Sequence, residues 1–510
     1  MEQMPDWGTF PRMLRDQAAR HPDVPVVVEG DTTLTMLDLR ERASAVARGL
    51  IALGVRPGDR VALWGVNDAS WVVQACGIWD AGAVIVPLSS RYKGLEAAEM
   101  IAKTGAEVLL VGASPPGTTL AALLPHVKCL RHVVTSPMVA HVSREEAEER
   151  ALAVRPDDLM EIMSTSGTTG TPKGVMLDHA QILRGYWDWA EIVTLEEGDR
   201  YPVIAPFSHG FGLNAGLIAS IMRRATMMPV KVFSPDGLMT LIASGRIAIL
   251  AGPPTLFYRL LDELDRADWD VSSLRIAICG AAAVPDELIV RLLDRVGLDR
   301  MINAYGLMEG TVVTMTRAED PVEVIAGTAG RPVPGIEVKI VDDDGKEVAS
   351  GERGEILQRG YGVMRGYWDE PDKTAEAIDA DGWLHTGDIG VADSSGNISI
   401  VDRKKELFIV NGFNVSPAEV EAMLLREGSL AQAAVIGVPD AASGEVGLAY
   451  VVPRLGVNVS PDTLTNWAKQ NMSNYKVPRR IVVVDALPVN ANGKIDKLAL
   501  RAASGGTDLS

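Results

Sequence analysis

Residues 164–174 read Ser-Thr-Ser-Gly-Thr-Thr-Gly-Thr-Pro-Lys-Gly, a stretch rich in hydroxyl groups and glycine with one lysine near its end. Glycine lets backbone N–H groups turn toward an anion, hydroxyls donate to phosphate oxygens, and Lys173 adds a compact positive charge. The largely apolar run Leu159–Met163 precedes it, which predicts a loop that leaves a strand. Gly174 stands where the common P-loop has its magnesium-binding hydroxyl, so the stretch predicts a phosphate-binding loop of another kind.

Six further motifs follow this loop. They are Ala205–Gly212, Asn303–Glu309, Trp383–Asp388, Asp402–Lys405, Val410–Asn414 and Asn492–Lys494. In type and order, the seven motifs resemble the signatures of the adenylate-forming (AMP-binding) superfamily, which includes acyl-CoA synthetases, aryl-CoA ligases, luciferases and the adenylation domains of peptide synthetases. Seven ordered matches over most of 510 residues are very hard to obtain by chance.

The residues of three other stretches indicate which branch of the superfamily the chain resembles most. Gly185–Trp189, Gly252–Thr255 and Arg359–Gly366 look most like the fatty acyl-CoA ligases, particularly a branch that acts on bulky acids such as steroid-ring propanoates. The resemblance therefore implies an acid:CoA ligase, with ATP and CoA as co-substrates and Mg²⁺ as the metal.

Composition limits the other classes of function. The chain is 47% hydrophobic and 23% charged, which is typical of a globular protein. A net charge of −18 argues against a nucleic-acid-binding surface. Cys76, Cys129 and Cys279 have neither CxxC nor Cys/His spacing, so we expect no disulfide framework or zinc site and a cytoplasmic location. No secretory signal is recognised, and no run of about 18 uninterrupted apolar residues predicts a membrane span.

The periodicity changes twice along the chain. Helix-period stretches alternate with short apolar runs between Asp31 and Pro87, and again from Ile247 onward, which predicts layered α/β structure. After about Gly335, short apolar runs and a turn predict a hairpin-rich β unit. We therefore expect an α/β N-terminal domain, residues 1–402, made of layered subdomains plus a β-rich subdomain.

A second, smaller unit begins after this domain. Asn411-Gly412 predicts a hairpin turn, and Ser416-Pro-Ala-Glu419 predicts a capping box with proline at the first helical position. Apolar runs and one helical stretch complete a small α+β unit. The predicted C-terminal domain covers residues 403–510, and the resemblance implies that it is mobile.

The resemblance implies a nucleotide site in the N-terminal domain. The residues that would hold the β- and γ-phosphates are Thr165, Ser166, Gly167, Thr168, Thr169 and Lys173. Glu309 would ligate Mg²⁺, since a carboxylate is a hard oxygen donor suited to a cation shared with phosphate. Asp388 would accept hydrogen bonds from the ribose hydroxyls and Arg403 would donate to the same sugar.

The adenine pocket and one departure complete this half of the site. Tyr305 would stack on adenine, and the pocket around it would be shaped by Ala281, Ala282, Asn303 and Ala304. The family usually has Thr or Ser just before the magnesium glutamate, as a donor to the α-phosphate, whereas this chain has Met308. A thioether cannot donate a hydrogen bond, and losing such a charge-assisted donor costs roughly 1.5–3 kcal/mol, so another donor must compensate or the enzyme is slower.

The remaining roles fall to residues that the resemblance links to domain movement. Lys494 would bridge the carboxylate and the α-phosphate, and Lys405 would be the hinge. After the first step the small domain would swing, withdrawing Lys494 and bringing Asn411, Gly412 and Phe413 to line a tunnel for the thiol arm. His209 would gate the ATP and acyl sites, with a structural histidine as the simpler reading.

The implied reaction has two steps, in which the acid forms an acyl-adenylate and a thiol then displaces AMP. Two alternatives stay open at this point: an adenylating enzyme that loads a carrier protein, and a non-catalytic nucleotide-binding homologue. The expected partners are a small-molecule carboxylic acid, ATP and CoA, with no nucleic acid. The identity of the acid and the oligomeric state, including a homodimer, are left open.

Overall fold

The computed structural model describes residues 3–112, 126–135, 142–165, 172–252, 254–280, 286–342, 344–403, 408–454, 456–488, 495 and 497–504. Within these ranges, none of the helices combines the length and the apolar composition needed to cross a lipid bilayer. The described residues form a large N-terminal unit of helices and sheets and a small α+β C-terminal unit, which confirms the predicted α/β class.

The largest sheet carries the predicted phosphate loop between two of its strands. Across the sheet, its strands are β18 (Gly366–Tyr367), β8 (Lys173–Asp178), β7 (Leu159–Thr165), β4 (Val84–Leu88), β3 (Arg60–Trp64), β5 (Val108–Val111) and β6 (His132–Val134). The helices of this part of the chain are α1 (Phe10–Arg20), α2 (Met36–Ala52), α3 (Ala69–Asp80), α4 (Gly94–Thr104), α5 (Arg144–Leu152) and α6 (His179–Ile192). Strands β3 to β7 run parallel, and the hairpin β7–β8 is antiparallel.

Two smaller sheets complete the α/β part of the N-terminal unit. One contains, in order, β2 (Thr32–Thr35), β1 (Pro25–Glu29), β10 (Thr226–Pro229) and β9 (Arg200–Val203). The other contains β11 (Ile249–Gly252), β12 (Ile276–Gly280), β13 (Arg300–Leu307), β14 (Thr311–Met315) and β15 (Arg331–Pro332). The helices beside them are a π-helix (Phe211–Ile218), α7 (Ala219–Arg223), α8 (Pro235–Gly245), α9 (Pro254–Arg266), α10 (Asp286–Val296) and α11 (Val322–Gly327).

The β-rich part expected after Gly335 is present. An antiparallel sheet contains β16 (Ile336–Val341), β17 (Arg353–Gly360), β19 (Leu384–Ala392) and β20 (Ile398–Arg403), and helix α12 (Pro371–Ala377) precedes β19. The boundary expected between residues 402 and 403 falls inside β20 and stays a prediction.

The C-terminal unit is one sheet with helices against it. Its strands are β22 (Phe413–Val415), β21 (Phe408–Val410), β24 (Gly444–Pro453), β23 (Leu430–Asp440) and β25 (Arg480–Val483), and its helices are α13 (Pro417–Leu425), α14 (Pro461–Asn471) and α15 (Lys497–Ser504). The predicted Asn411-Gly412 turn joins β21 and β22, with φ of 50° and 81°. Positive φ at both positions matches the right-handed twist of a hairpin, which explains the choice of Asn-Gly.

Apolar side chains cover both faces of the largest sheet. Phe10 and Trp79 lie on one face, Trp64 and Met100 lie on the other, and all four are fully buried. Strands buried on both faces read as continuous apolar runs, which is why Val61–Trp64 shows no alternation. The core therefore holds the sheet rigidly and leaves the loops at its edge to carry the chemistry.

Candidate active site

The predicted phosphate loop joins two antiparallel strands. Thr165 and Lys173 are directly opposite each other as the last pair of β7 and β8, and residues 166–171 between them lie outside the described residues. The chain continues from the loop into a strand, so the loop lacks the helix N-terminus that follows a P-loop. The Thr165 hydroxyl is buried and has no hydrogen-bond partner among the described residues. An orphan hydroxyl beside the loop fits a phosphate oxygen as its partner.

A tyrosine joins the predicted phosphate lysine to the predicted magnesium carboxylate. The Lys173 Nζ lies 4.1 Å from the centre of the Tyr367 ring, and the Tyr367 hydroxyl donates to Glu309 Oε1 at 3.0 Å. Burial and the neighbouring Glu309 carboxylate raise the pKa of Tyr367, so the phenol keeps its proton and acts as a donor. The array therefore holds a cation over the ring of Tyr367 and a carboxylate at its hydroxyl.

The turn after β13 fixes the position of Glu309. The Glu309 carbonyl accepts from the Met364 N–H at 2.8 Å, and Gln358 Nε2 donates to the Gly310 carbonyl at 2.7 Å. A Cβ at Gly310 would lie 2.1 Å from Gln358 Oε1, so only glycine allows this close approach. The hydrogen bonds from Met364 and Gln358 thus hold the backbone at Glu309 and Gly310 in place.

Met308 lies against the segment that carries His209. Its Sδ would be 3.1 Å from a Cβ at Gly210, the residue next to His209. The Phe211 N–H donates to His209 Nδ1 at 3.2 Å, which assigns the imidazole proton to Nε2. Partial loss of water around the ring lowers the pKa of His209. His209 is therefore neutral at pH 7. The Met308 thioether lies at the position where the resemblance implies a hydroxyl.

Asn67 fixes the segment before His209. Its Nδ2 donates to the carbonyls of Val203 at 3.1 Å and Ala205 at 2.8 Å, and its Oδ1 accepts from the Phe207 N–H at 2.8 Å. The side chain is buried, so these contacts replace the water that the amide loses. No local sequence pattern identified this residue.

The predicted nucleoside residues meet at the edge of the β-rich sheet. The Tyr305 hydroxyl donates to Asp388 Oδ2 at 2.6 Å, and Asp388 pairs directly with the backbone of Arg403 across β19 and β20. The Asn303 amide donates to the Thr328 carbonyl at 2.8 Å, which ties β13 to the segment after α11. Ala304 pairs with Gly280 at the end of β12, just before residues 281–285.

A buried acid lies beneath the π-helix. Glu161 on β7 is fully buried, and its Oε1 accepts from Asn214 Nδ2 at 3.0 Å. Glu161 Oε2 and Asn214 Oδ1 have no hydrogen-bond partner among the described residues. Burial raises the pKa of Glu161 to about 7, because the charged form has no cation to compensate for the lost water. The π-helix, a form frequent at functional sites, thus rests on a titratable group.

The predicted thiol-tunnel turn faces the N-terminal unit. The Phe413 ring stacks on Tyr475 with centroids 4.6 Å apart, and the Arg91 guanidinium carbon lies 4.0 Å from the centre of the Phe413 ring. Arg91 follows β4, so this contact joins the two units. The turn Asn411-Gly412 therefore points Phe413 at the seam between them.

Some of the predicted site residues lie outside the described part of the chain. They are Ser166, Gly167, Thr168, Thr169, Ala281, Ala282, Lys405 and Lys494. The structure brings Lys173 and Glu309 to one tyrosine, Tyr305 to Asp388, and Met308 to the His209 segment. Sequence reasoning missed Tyr367, although it directly follows a motif ending at Gly366.

Two family models match the chain. The model described as AMP-binding enzyme matches residues 14–368, and the model described as AMP-binding enzyme C-terminal domain matches residues 419–494. Two relatives are each named as a ligase of coenzyme A and a 7a-methyl-1,5-dioxo-octahydroindenyl propanoyl group. The one from Rhodococcus jostii is 41% identical over 97% of this chain and 98% of its own length. The one from Mycobacterium tuberculosis is 42% identical over 97% of this chain and 99% of its own length.

Solved structures match over the same length. The o-succinylbenzoate CoA synthetase MenE from Bacillus subtilis, bound with its product analogue OSB-NCoA, has a TM-score of 0.82 at 27% identity and covers 96% of this chain and 98% of its own. ATP-bound MatB from Rhodopseudomonas palustris has a TM-score of 0.70 at 26% identity and covers 98% and 99%. At nearly the same identity and coverage, the TM-score of the first match is higher.

Proposed function

This chain belongs to the family of AMP-binding enzymes, and from that premise we propose that it is an ATP-dependent carboxylic acid:CoA ligase. In the first step the carboxylate oxygen attacks the α-phosphorus of ATP, and pyrophosphate leaves. In the second step the sulfur of CoA attacks the acyl carbon, the thiol proton is lost, and AMP leaves. The activation is needed because a free carboxylate has no good leaving group.

The groups proposed for the first step lie in the N-terminal unit, with the exception of Lys494 in the C-terminal part of the chain. Lys173 and the hydroxyls of the phosphate loop neutralise the β- and γ-phosphates, and Lys494 neutralises the carboxylate and the α-phosphate as they approach. Fixed charges of this kind lower the barrier most where water is excluded. The orphan Thr165 hydroxyl and the fixed ring of Tyr367 under Lys173 support these roles.

The residues present fit a magnesium ion shared with the nucleotide. Mg²⁺ is usually bound by one or two carboxylates together with substrate phosphates, and Glu309 offers one carboxylate in a fixed turn. The substrate phosphates and retained waters would supply the other ligands of the ion. When bound, the ion would neutralise charge on the phosphates as pyrophosphate leaves.

We assign the present arrangement of the two units to the second step. The chain matches the structure with a bound CoA-product analogue at a TM-score of 0.82 and an ATP-bound structure at 0.70. The contact of Phe413 with Arg91 supports the assignment, because it brings the predicted tunnel turn to the N-terminal unit. In this arrangement Gly412 provides a backbone without a Cβ beside the path of the thiol arm.

The proposed acid is a propanoate that carries a fused ring system. Relatives at 41% and 42% identity over nearly the whole chain are named for a methyl-bearing octahydroindene propanoyl group, the ring pair that the C and D rings of a steroid form. A substrate of this kind places the enzyme in the degradation of steroid-like or other bulky hydrophobic acids. Because the reaction consumes ATP and CoA, we propose the cytoplasm as its location.

The observation that carries the proposal is the array Lys173, Tyr367 and Glu309, which puts a phosphate cation and a metal carboxylate on one ring. Acid-dependent exchange of labelled pyrophosphate into ATP tests it, with fused-ring propanoates, linear fatty acids, aromatic acids and amino acids as a panel. We expect the highest kcat/KM for a fused-ring propanoate and product release with CoA but not with a carrier protein. Exchange with amino acids only, or with none of the acids, would contradict the proposal.

A further inference from the structure

A buried ionic cluster joins the N-terminal and C-terminal units. Lys476, which lies between α14 and β25, contacts Glu96 Oε1 on α4 at 3.1 Å and also contacts Glu419 on α13. The Ser473 hydroxyl donates to Glu96 Oε2 at 3.1 Å. The side chains of Lys476, Glu96 and Glu419 are 5%, 3% and 7% exposed, so the three charges lie away from water.

The cluster is held together by mutual compensation. Burial opposes a charged ammonium, but Glu419 and the other anionic neighbours outweigh it and raise the pKa of Lys476 above its ordinary value. Burial also raises the pKa of Glu96, which acts against its ionisation. The Lys476 ammonium contacts both carboxylates, and Ser473 donates a further hydrogen bond to Glu96. These contacts compensate for the water that the three charged groups lose on burial.

The two carboxylates differ in which unit they belong to. Glu419 moves with Lys476 because both are in the C-terminal unit, whereas Glu96 belongs to the N-terminal unit. A rotation of the C-terminal unit therefore separates Lys476 from Glu96 and leaves it with Glu419. The contact between Glu96 and Lys476 thus depends on the orientation of the two units.

The cluster also reaches the strand that leads into the phosphate loop. The Lys476 Nζ lies 5.0 Å from the centre of the Tyr92 ring, and the hydroxyls of Tyr92 and Ser164 share a hydrogen bond at 3.0 Å. Ser164 is the residue before Thr165. Tyr92 therefore connects Lys476 of the C-terminal unit to Ser164, beside the proposed phosphate site.

We propose that Glu96 and Lys476 are positioning residues that hold the C-terminal unit in the orientation for thiol transfer, with Glu419 as the partner that Lys476 keeps when the units separate. This inference rests on the proposed two-step ligase function. It assigns to the cluster a role in the second step and none in the first.

The substitution Glu96→Gln tests this role, because it removes the charge and keeps the shape of the side chain and one acceptor oxygen. Adenylation is measured by pyrophosphate exchange without CoA, and thiol transfer by single turnover of supplied acyl-adenylate with CoA, and the two rates are compared within each variant. We expect the rate of thiol transfer to fall by about tenfold or more, with adenylation unchanged or faster. Adenylation by the same sample shows that the variant is folded.

The matched control is Glu99→Gln, on the same helix and in the same seam. Glu99 pairs with Arg426 of the C-terminal unit, but both side chains are partly exposed, at 26% and 43%, so we expect less than about a twofold change in either step. Equal loss of both steps in Glu96→Gln, or no loss in either, overturns the positioning role. If the wild-type enzyme catalyses neither step with any acid, the proposed function itself fails, which is a separate result.

Discussion

Two contacts of a cation with an aromatic ring have nearly equal distances and join different parts of the molecule. Lys173 lies 4.1 Å from the Tyr367 ring, and both residues are in one sheet of the N-terminal unit. Arg91 lies 4.0 Å from the Phe413 ring, and the two residues are in different units. The first contact is kept by backbone pairing of β8 with β18, whereas the second depends on how the units are oriented.

The difference indicates how one cleft can serve two reactions. In the proposed reaction, the phosphate-binding and metal-binding groups of the first step are held by strands and turns within the N-terminal unit, so they would stay in place if the other unit rotated. Groups that the second step needs are brought by the C-terminal unit and are held by contacts that can be broken. Lys494 is proposed to enter the first step from the C-terminal part of the chain, and apart from it, substitutions on the two sides should affect different half-reactions.

The largest expected effect is that of Lys494→Ala. Removing the ammonium that meets the α-phosphate should lower the rate of adenylation by about 10²–10³-fold, the usual loss for one electrostatic group aimed at a transition state. Transfer from supplied acyl-adenylate to CoA should be retained. Both steps are measured separately on the same sample, and equal loss of both would contradict a role confined to the first step.

The stability of the N-terminal unit should depend on pH through Glu161. Among the described residues, Asn214 donates to Glu161 and Tyr186 lies nearby, and burial raises the pKa of Glu161 to about 7 from the ordinary 4.5. The native protein therefore holds a proton that the unfolded chain has lost, so the free energy of unfolding falls as pH rises from about 4.5 through 7. The difference in pKa corresponds to about 3 kcal/mol.

In Glu161→Gln this loss of stability should be absent. Denaturant unfolding between pH 5 and 8 measures it, as the difference between the wild type and the variant. The exposed pair of Glu337 and Arg359 offers a control, since Glu337→Gln should keep the slope of the wild type. A wild-type slope that survives in Glu161→Gln would show that other groups cause it.

Tyr367→Phe should weaken adenylation and spare thiol transfer. The variant keeps the ring under Lys173 and removes the hydroxyl that donates to Glu309. A charge-assisted hydrogen bond contributes roughly 1.5–3 kcal/mol, so the rate should fall about 10- to 100-fold, with a higher Mg²⁺ requirement. Tyr361→Phe is the matched control, because that hydroxyl also donates to a carboxylate, Asp188 at 2.8 Å. A similar loss in both variants would count against the role of Tyr367.

The smallest expected effect lies on the other side of the comparison. Phe413→Leu removes the ring between Arg91 and Tyr475, a contact of about 0.5–2 kcal/mol, so thiol transfer should fall roughly two- to thirtyfold with adenylation unchanged. Phe233→Leu is the control. The guanidinium carbon of Arg259 lies 5.6 Å from the centre of the Phe233 ring, and this contact is within the N-terminal unit. Loss of adenylation in Phe413→Leu would remove the distinction between the two regions.

Local patterns predicted the elements that depend on local chemistry. The Asn411-Gly412 turn has positive φ at both residues. Ser416 caps α13 by accepting from the Glu419 N–H, and proline occupies the first position of the helix. The strand before the phosphate loop was also predicted, because Leu159–Met163 is almost wholly apolar. These features depend on neighbours within a few residues.

Contacts between distant segments could not be read in this way. Glu419 was assigned to a capping box, and its carboxylate in fact binds Lys476, which is 57 residues away. Tyr367 contacts Glu309 only because β18 pairs with β8, and this pairing leaves no local signal. Glu161 interrupted an apolar strand, and its partner Asn214 interrupted an apolar helix. Two polar residues in apolar segments are the signal that could have indicated a buried pair.

The most direct test of the account is a single-turnover experiment with a fused-ring propanoate. Enzyme, acid, ATP and Mg²⁺ without CoA should give one equivalent each of acyl-adenylate and pyrophosphate, and added CoA should then convert the adenylate to thioester and AMP. Release of ADP and phosphate, or thioester formation without an adenylate that can be isolated, would contradict two half-reactions in one cleft.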